Sequence, residues 1–311
     1  MRIFPSLLFF ICFYFLVSGA DLLFTQETTS AGISNWEIVF TIDAAETPSG
    51  VLQSVPAIDL DPEGNLYIMD SGRNRLVKYS AQGKFLEEIG GFGQGAEEFS
   101  NPRDLDTHLS LNIFIADYNN NRVVRLDARM HFLNDFQTSF DSPYYFEMPL
   151  SVAVNNQYDI FILEDLNKTI IKFNRFSEPL TAFGSAAENL GQLLGPQQLA
   201  IGQGNLLYVS DVLQKSVLVF DFLGNYLREI KHPDFVEPRG IDVSARGELI
   251  VADQKGRTVY FYDDSRNFFD IFNLASYDIR PTDVALWHPK GKSGMRLYIS
   301  DPQKCYIFVA E

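Results

Sequence analysis

The stretch that decides the fold is LYIMDSGRNRLV, residues 66–77, because related stretches recur five more times along the chain. Each copy has three large apolar residues, one further residue and then an acidic residue. The acidic positions are Asp70, Asp117, Glu164, Asp211, Asp253 and Asp301. They are separated by 47, 47, 47, 42 and 48 residues. A period of this length, with short apolar runs inside it, is typical of repeat architectures.

Each repeat carries the signals of four short strands. A proline precedes each copy, at Pro56, Pro102, Pro149, Pro196, Pro238 and Pro281. The apolar run before each acidic residue lacks polar alternation, which is typical of a strand buried on both faces. The fourth strand is more polar, as in FLEEI at residues 85–89. Four short antiparallel strands that become polar at the outer edge predict a propeller blade.

The two ends of the chain complete the last repeat. The sixth copy stops after its third strand, YIFV at residues 306–309, whereas WEIVFTI at residues 36–42 has the character of a fourth strand. Closing the last blade with this N-terminal strand removes the exposed edges of an open array. The sequence therefore predicts an all-β fold, a six-bladed β-propeller of four-stranded antiparallel blades, over residues 36–311.

The recurring motif resembles the NHL repeat of six-bladed β-propellers. The resemblance is carried by a proline, a Gly-Asn-Leu-Tyr run and the Asp-x-x-x-Asn-Arg segments at residues 70–75 and 117–122. It implies the propeller fold but no particular activity, because one fold hosts many functions. The arginine five residues after the acidic position occurs only at Arg75 and Arg122.

The N-terminal residues 1–20 have the pattern of a signal peptide. A single basic residue, Arg2, precedes a long apolar stretch, and small residues at Ser18 and Ala20 suit cleavage before Asp21. The alternative is an uncleaved anchor. We expect a cleaved signal, a linker at residues 21–35, no stable membrane insertion after cleavage, and a secreted or periplasmic location in the cell envelope.

The net charge and the lack of known motifs argue against several classes of function. The formal net charge of −15 opposes binding to nucleic acids, because such binding depends on neutralising phosphates. No established catalytic or phosphate-binding motif appears. We therefore expect a monomeric propeller without a cofactor, without catalytic residues and without metal ligands.

The candidate binding residues follow the blade prolines, where the copies differ. In six-bladed propellers these positions start the innermost strand and approach the mouth of the central channel. They are Arg103, Asp104, Gln197, Gln198, Arg239, Thr282 and Asp283. The two arginines indicate a pocket for an anionic or polar group, because arginine donates bidentately. The competing interpretation pairs each arginine with Asp104 or Asp242.

Aromatic residues in the loops between blades are the second candidate surface. Phe99, Phe146, Leu193 and Phe235 each lie three residues before a blade proline and are interpreted as structural plugs. Phe92, Tyr144 and Tyr145 fall outside that register and are predicted to contact a partner. The preferred function is an exported scaffold that binds a protein, peptide or glycan partner through these loops and the channel mouth.

The competing function is that of a metal-dependent hydrolase or lyase of the lactonase-like or amidating-lyase-like propeller type. The resemblance to lactonase-like propellers would place Asp104, Ser151, Gln198 and Asp283 around a cation. A hard cation usually requires roughly six or more oxygen ligands. The positively charged side chains of Arg103 and Arg239 would also oppose a cation here. The four histidines do not directly follow a blade proline and are interpreted as scattered surface residues.

Overall fold

Twenty-four strands form six four-stranded antiparallel sheets in the computed structural model, which describes residues 36–109, 111–291 and 294–310. The predicted signal peptide and linker, residues 1–35, lie outside the described residues. The described residues contain no helix that is long and apolar enough to span a membrane.

The strands follow one another from the innermost to the outermost position in each of the first five blades. Blade 1 contains β2 to β5, at Ala57–Leu60, Leu66–Asp70, Arg75–Tyr79 and Phe85–Gly90. Blade 2 contains β6 to β9, at Pro102–Asp106, Asn112–Asp117, Arg122–Asp127 and Phe132–Phe136. Blade 3 contains β10 to β13, at Pro149–Val154, Ile160–Glu164, Thr169–Phe173 and Pro179–Phe183.

The remaining blades complete the ring. Blade 4 contains β14 to β17, at Pro196–Ile201, Leu207–Asp211, Ser216–Phe220 and Tyr226–Ile230. Blade 5 contains β18 to β21, at Pro238–Val243, Leu249–Asp253, Thr258–Tyr262 and Phe268–Asn273. Blade 6 contains β22 to β24 and β1, at Asp283–Trp287, Met295–Ser300, Cys305–Ala310 and Glu37–Ile42. Short 3-10 helices occupy Tyr118–Asn120, Gln203–Asn205 and Ala275–Tyr277.

The N-terminal strand closes the last blade, as predicted. β1 pairs with β24 in antiparallel register, with Glu37 opposite Val309 and Ile42 opposite Cys305. This pairing makes blade 6 four-stranded like the others. The predicted six-bladed propeller fold is therefore confirmed.

Burial decreases from the middle of each blade to its rim. Every residue of β3, β7, β11, β15 and β19 is buried, whereas the outermost strands are largely exposed. Apolar side chains from adjacent blades form the core, as where Tyr67 and Leu76 of blade 1 pack with Ile115 of blade 2. The apolar runs of the second strands follow from this arrangement, because each is covered by a blade on both sides.

The recurring acidic residues are structural, as predicted. Asp253, at the end of β19, accepts hydrogen bonds from the backbone nitrogens of Val236 (2.6 Å) and Glu237 (2.9 Å) in the preceding loop. Asp70 makes the equivalent bonds and also pairs with Arg75, whose Nε lies 3.1 Å from Asp70 Oδ2. Asp117 and Asp211 also accept backbone hydrogen bonds from the inter-blade loop that leads into their own blade. Glu164 and Asp301 instead accept hydrogen bonds from residues that follow them.

The antiparallel order gives the ring two distinct faces. The innermost strands begin on one face, which we call the proline face and which also carries the inter-blade loops, such as residues 91–101. The turns between the first and second strands, such as residues 61–65, lie on the other, which we call the hairpin face. The central channel runs between these two faces.

Candidate functional site

Polar side chains form a first layer across the channel. They come from one register position of the innermost strands, occupied by Asp104, Ser151, Gln198 and Asp283, with Ala57 and Gly240 in the other two blades. Each of the four polar residues accepts a hydrogen bond from a backbone N–H of the next blade. Val152 donates to Asp104 (3.1 Å), and Leu199 donates to Ser151 (2.9 Å). Ile241 donates to Gln198 (2.7 Å), and Ile58 donates to Asp283 (2.9 Å). The first layer therefore joins neighbouring blades.

Gln198 connects two buried carboxylates in this layer. Its Nε2 donates to Asp104 Oδ1 (3.3 Å) and to Asp283 Oδ2 (3.1 Å). Burial raises the pKa of Asp104 to about 7. Burial, and then the charge of Asp104, raise the pKa of Asp283 well above its usual value. The two carboxylates therefore compete for one negative charge across a shared amide donor.

The structure brings together the four residues of the competing metal-site interpretation, but the Gln198 amide nitrogen bridges the two carboxylates. A cation would need the position that this N–H donor occupies. No group of three histidine, cysteine, aspartate or glutamate side chains in the described residues is arranged to hold a metal ion. The residues therefore do not fit a metal in this arrangement.

Arg103 and Arg239 lie above the first layer, at the mouth on the proline face. They line a cavity of about 50 Å³ together with Gln197 and Thr282. Within the part of the chain that the structure describes, the Arg103 side chain has no ion pair or hydrogen bond and lies over the ring of Tyr118, 5.7 Å from its centroid. Burial, and then the charge of Arg239, lower the pKa of Arg103.

Arg239 is only partly neutralised. Its Nη2 lies 3.3 Å from Glu237 Oε1, but its Nε is buried without a hydrogen-bond partner. Neither arginine pairs with Asp104 or Asp242, so that competing interpretation is wrong. The sequence did not reveal Tyr118 and Glu237 as the actual neighbours, because both come from segments outside the innermost strands.

Gln197 and Thr282 are held by backbone carbonyls. Gln197 Nε2 donates to the carbonyl of Pro196 (2.9 Å), and Thr282 Oγ1 donates to the carbonyl of Val55 (2.9 Å). Thr282 thereby links blade 6 to the segment that enters blade 1. Both side chains have fixed orientations at the mouth.

The loop aromatics differ in exposure. Phe92 is 79% exposed, whereas Tyr144 and Tyr145 are half-buried. Tyr144 donates to the carbonyl of Leu180 (3.1 Å), and Tyr145 packs its ring against Phe140 at 5.3 Å between centroids. Phe140, which was not predicted, is 81% exposed. The four predicted plugs are buried, at Phe99, Phe146, Leu193 and Phe235.

A larger cavity, of about 660 Å³, opens the channel at the hairpin face. A second channel layer lies on its wall, two residues further along the innermost strands than the first layer. Asp59, Asp106 and Asp242 occupy this register, and alanines occupy it in the other three blades. Asp59 and Asp106 were not predicted from sequence, and Asp242 was considered only as a partner of an arginine, although period-two alternation from Asp104 leads to Asp106.

The second layer has unusual protonation equilibria. Burial, and then the charges of Asp106 and Asp242, raise the pKa of Asp59 to about 8. Burial also raises the pKa of Asp242 to about 6. Burial lowers the pKa of His108, but Asp106 and the other carboxylates outweigh this effect and raise it to about 9.

Two histidines line this cavity, His108 with a side chain that is 40% exposed and His288 with a buried one, so the interpretation as scattered surface residues is wrong for His288. His108 Nδ1 lies 2.8 Å from Asp106 Oδ1. His288 Nε2 lies 2.6 Å from Glu248 Oε2, and its side chain is 6% exposed. His288 follows β22 directly and His108 follows β6 after one intervening residue, and these positions bring both rings to the cavity.

Comparisons with known proteins agree with this architecture. A family model described as a 6-bladed beta-propeller matches residues 46–181. No curated protein matches the sequence.

Three solved structures share the fold. A streptogramin B lyase is 14% identical over 81% of this chain and 78% of its own, with a TM-score of 0.58. Virginiamycin B lyase from Staphylococcus aureus is 12% identical over 89% of this chain and 100% of its own, with a TM-score of 0.60. A gluconolactonase from Xanthomonas campestris is 13% identical over 84% of this chain and 87% of its own, also with a TM-score of 0.60. At these identities the likeness shows the propeller fold alone.

Proposed function

We propose that the protein is an exported, monomeric NHL-type propeller that binds a protein, peptide or glycan partner on its proline face. Arg103 and Arg239 hold an anionic group of that partner in the channel mouth. The observation that carries the proposal is the Arg103 guanidinium, which has no ion pair in the described residues and lies close enough to Arg239 for their charges to repel.

An anion would relieve the unfavourable electrostatics of this mouth. Asp165 attracts the Arg103 guanidinium only from beyond ion-pair distance, and a partly buried cation without a directly bonded counter-charge is costly. A carboxylate in the mouth would accept hydrogen bonds from both guanidinium groups. The cavity of about 50 Å³ suits such a small group, since roughly 10–15 Å³ already admits one water. The unpartnered Nε of Arg239 supplies a donor that the protein itself leaves unused.

Exposed apolar side chains on the same face would contact the rest of the partner. Phe92 and Phe140 are 79% and 81% exposed, and Leu190 and Leu213 are 71% and 69% exposed. All four lie in inter-blade loops or in turns after second strands. Aromatic and apolar residues on a rigid scaffold, around a charged centre, are typical of recognition surfaces.

Export and the NHL assignment rest on separate support. The signal-like sequence of residues 1–20 supports export. The buried Asp–Arg pairs at Arg75 (3.1 Å) and Arg122 (2.8 Å) give the repeat's arginine a role in joining the end of the second strand to the third. Thr169 and Tyr306 replace this arginine in blades 3 and 6 and still bond the acidic residue.

The test is capture of exported proteins and glycans from the producing cells on the immobilised protein. The wild type and an Arg175→Ala control should retain the same partner, because Arg175 is exposed in a turn on the hairpin face. Arg103→Ala/Arg239→Ala should lose that partner while unfolding at the wild-type temperature. Equal capture by the double variant, or no specific capture by the wild type, would refute the proposal.

The competing function is that of a metal-dependent hydrolase or lyase. It is favoured by the fold shared with a streptogramin B lyase and a gluconolactonase, and by the meeting of Asp104, Ser151, Gln198 and Asp283 in one layer. Metal analysis of the purified protein separates the two functions. A stoichiometric divalent metal that is lost in Asp104→Asn would replace the binding proposal with the enzymatic one.

A further inference from the structure

The 660 Å³ cavity at the hairpin face is separate from the proposed partner site. The first channel layer lies between them, since Asp104 and Gln198 line both cavities. The cavity volume falls within the range of about 300–1,000 Å³ that is usual for small-molecule sites. The cavity is therefore large enough to hold a small organic molecule.

The hydrogen bonds that join neighbouring blades do not require the three carboxylates of the second layer. Asp106 Oδ2 and Asp242 Oδ2 each accept a backbone hydrogen bond from the next blade, both at 2.8 Å. In the first layer Ser151 and Gln198 make the same kind of bond with neutral oxygens. A neutral acceptor would serve the structure equally well, so the joining role does not account for three acidic side chains on one wall.

The charges of this layer are incompletely balanced by the protein. His108 pairs with Asp106, which leaves Asp59 and Asp242 without a cationic partner in the described residues. Arg246 and Lys290, also on the lining, are exposed at the rim. A cation that entered the cavity would favour the ionised forms of Asp59 and Asp242, whose pKa values burial raises to about 8 and about 6, and it would thereby lower both pKa values.

His288 gives an independent indication of a polar ligand. It lines the cavity, its side chain is 6% exposed, and its Nδ1 is buried without a partner. Its Nε2 faces the Glu248 carboxylate and donates to it, which leaves Nδ1 as the ring nitrogen without a hydrogen-bond partner in the described residues. A ligand with polar atoms would offer this wall a hydrogen-bond partner that the protein lacks.

The remainder of the lining is mixed: Asn156, Gln203, Asn205 and Ser244 are polar, and an apolar wall lies beside them. Leu60, Ile201, Val243 and Leu286 contribute aliphatic surface, and Trp287 contributes an aromatic ring. Ligand sites of this kind combine an apolar wall with a few polar groups that fix orientation. The ligand should therefore have an apolar body with one cationic, donor-rich end.

We propose that this cavity binds a small organic cation, with its ammonium group between Asp59 and Asp242 and its apolar body against Trp287. The site is independent of the partner site on the proline face. A neutral or anionic ligand of the same shape lacks the charge that these carboxylates attract.

The test is calorimetric titration of the protein with phenethylamine and with 2-phenylethanol, which has the same apolar body but no charge. Phenethylamine should bind saturably at one site, and at least tenfold more tightly than the alcohol. Asp59→Asn and Asp242→Asn should each weaken amine binding at least tenfold. Asparagine keeps a hydrogen-bond acceptor, so both variants retain the joining bonds, and circular dichroism verifies that they fold.

The matched control is Asp264→Asn, which removes one exposed negative charge from a turn on the hairpin face and should bind the amine like the wild type. Three results would each overturn the proposal: no saturable binding of phenethylamine to the wild type, equal binding of the alcohol, or wild-type affinity in both cavity variants. The comparison of phenethylamine with 2-phenylethanol uses only the wild-type protein, so it tests the proposal even if a variant fails to fold.

Discussion

The two ends of the channel are built from the same six strands but have opposite character. The proline-face mouth is narrow and cationic, with Arg103 and Arg239 around about 50 Å³. The hairpin-face cavity is wide and acidic, with Asp59, Asp106 and Asp242 around about 660 Å³. A propeller scaffold therefore sets where side chains point, whereas the identity of a few register positions decides which ligands each end attracts.

The first channel layer keeps the two ends apart, and its loss should have the largest effect. Gln198→Ala removes the donor shared by Asp104 and Asp283 and the acceptor of the Ile241 N–H. Each buried group left without a partner should cost about 1–3 kcal/mol of unfolding free energy. Urea denaturation measures this loss.

The neighbouring glutamine supplies the control for this prediction. Gln197 is half-exposed and its Nε2 bonds only backbone carbonyls. Gln197→Ala should therefore change the unfolding free energy by no more than about 0.5 kcal/mol. Equal stability of the two variants would mean that the first layer does not hold the channel together.

The acidic end should make the protein less stable as the pH rises. Asp59, Asp104 and Asp242 have folded pKa values of about 8, 7 and 6, against about 3.9 in the unfolded chain. The folded state therefore binds more protons from about pH 4 to about pH 8, so stability falls across that window. His108, raised to about 9, acts in the same direction, because its contribution is lost as the pH rises through that value.

Asp59→Asn should flatten this decline, because it removes the cavity carboxyl whose pKa is raised to about 8. Thermal unfolding at pH 5 and at pH 8.5 measures the slope, with Asp264→Asn as the control. An unchanged slope in Asp59→Asn would show that Asp59 ionises normally and that the hairpin-face cavity is better solvated than its burial indicates.

The exposed loop aromatics should produce the smallest effect. Phe92→Ser and Phe140→Ser remove side chains that are 79% and 81% exposed, so the unfolding free energy should change by about 0.5 kcal/mol or less. If the proline face binds the partner, each substitution should weaken capture several-fold without affecting phenethylamine binding. Wild-type capture by both variants would confine the partner site to the channel mouth.

The fold was predictable because the repeat imposes one register on six blades. That register located the closing strand Glu37–Ile42 and the mouth residues Arg103 and Arg239. The second layer was missed because the residues directly after the prolines were considered, whereas the pleat also brings Asp59 and Asp242 to the channel. Sequence alone gives no indication that this second layer borders an open cavity.

Side-chain partners were the least predictable feature. Arg103 lies over Tyr118, which sits in a turn after a second strand, and Arg239 reaches back to Glu237 in the preceding loop. The exposure of Phe140 likewise depends on the path of a loop outside the repeat register. Such contacts depend on loop geometry, which the periodic strand pattern does not specify.

The opposition between the two ends is tested most directly with two ligands that share an apolar body but carry opposite charges. Phenethylamine and 3-phenylpropanoate would be titrated separately and together into the wild type, Asp59→Asn/Asp242→Asn and Arg103→Ala/Arg239→Ala. We expect the aspartate variant to lose only the amine, the arginine variant to lose only the carboxylate, and neither ligand to displace the other. Competition between the ligands, or loss of both in one variant, would contradict two separate sites of opposite charge preference.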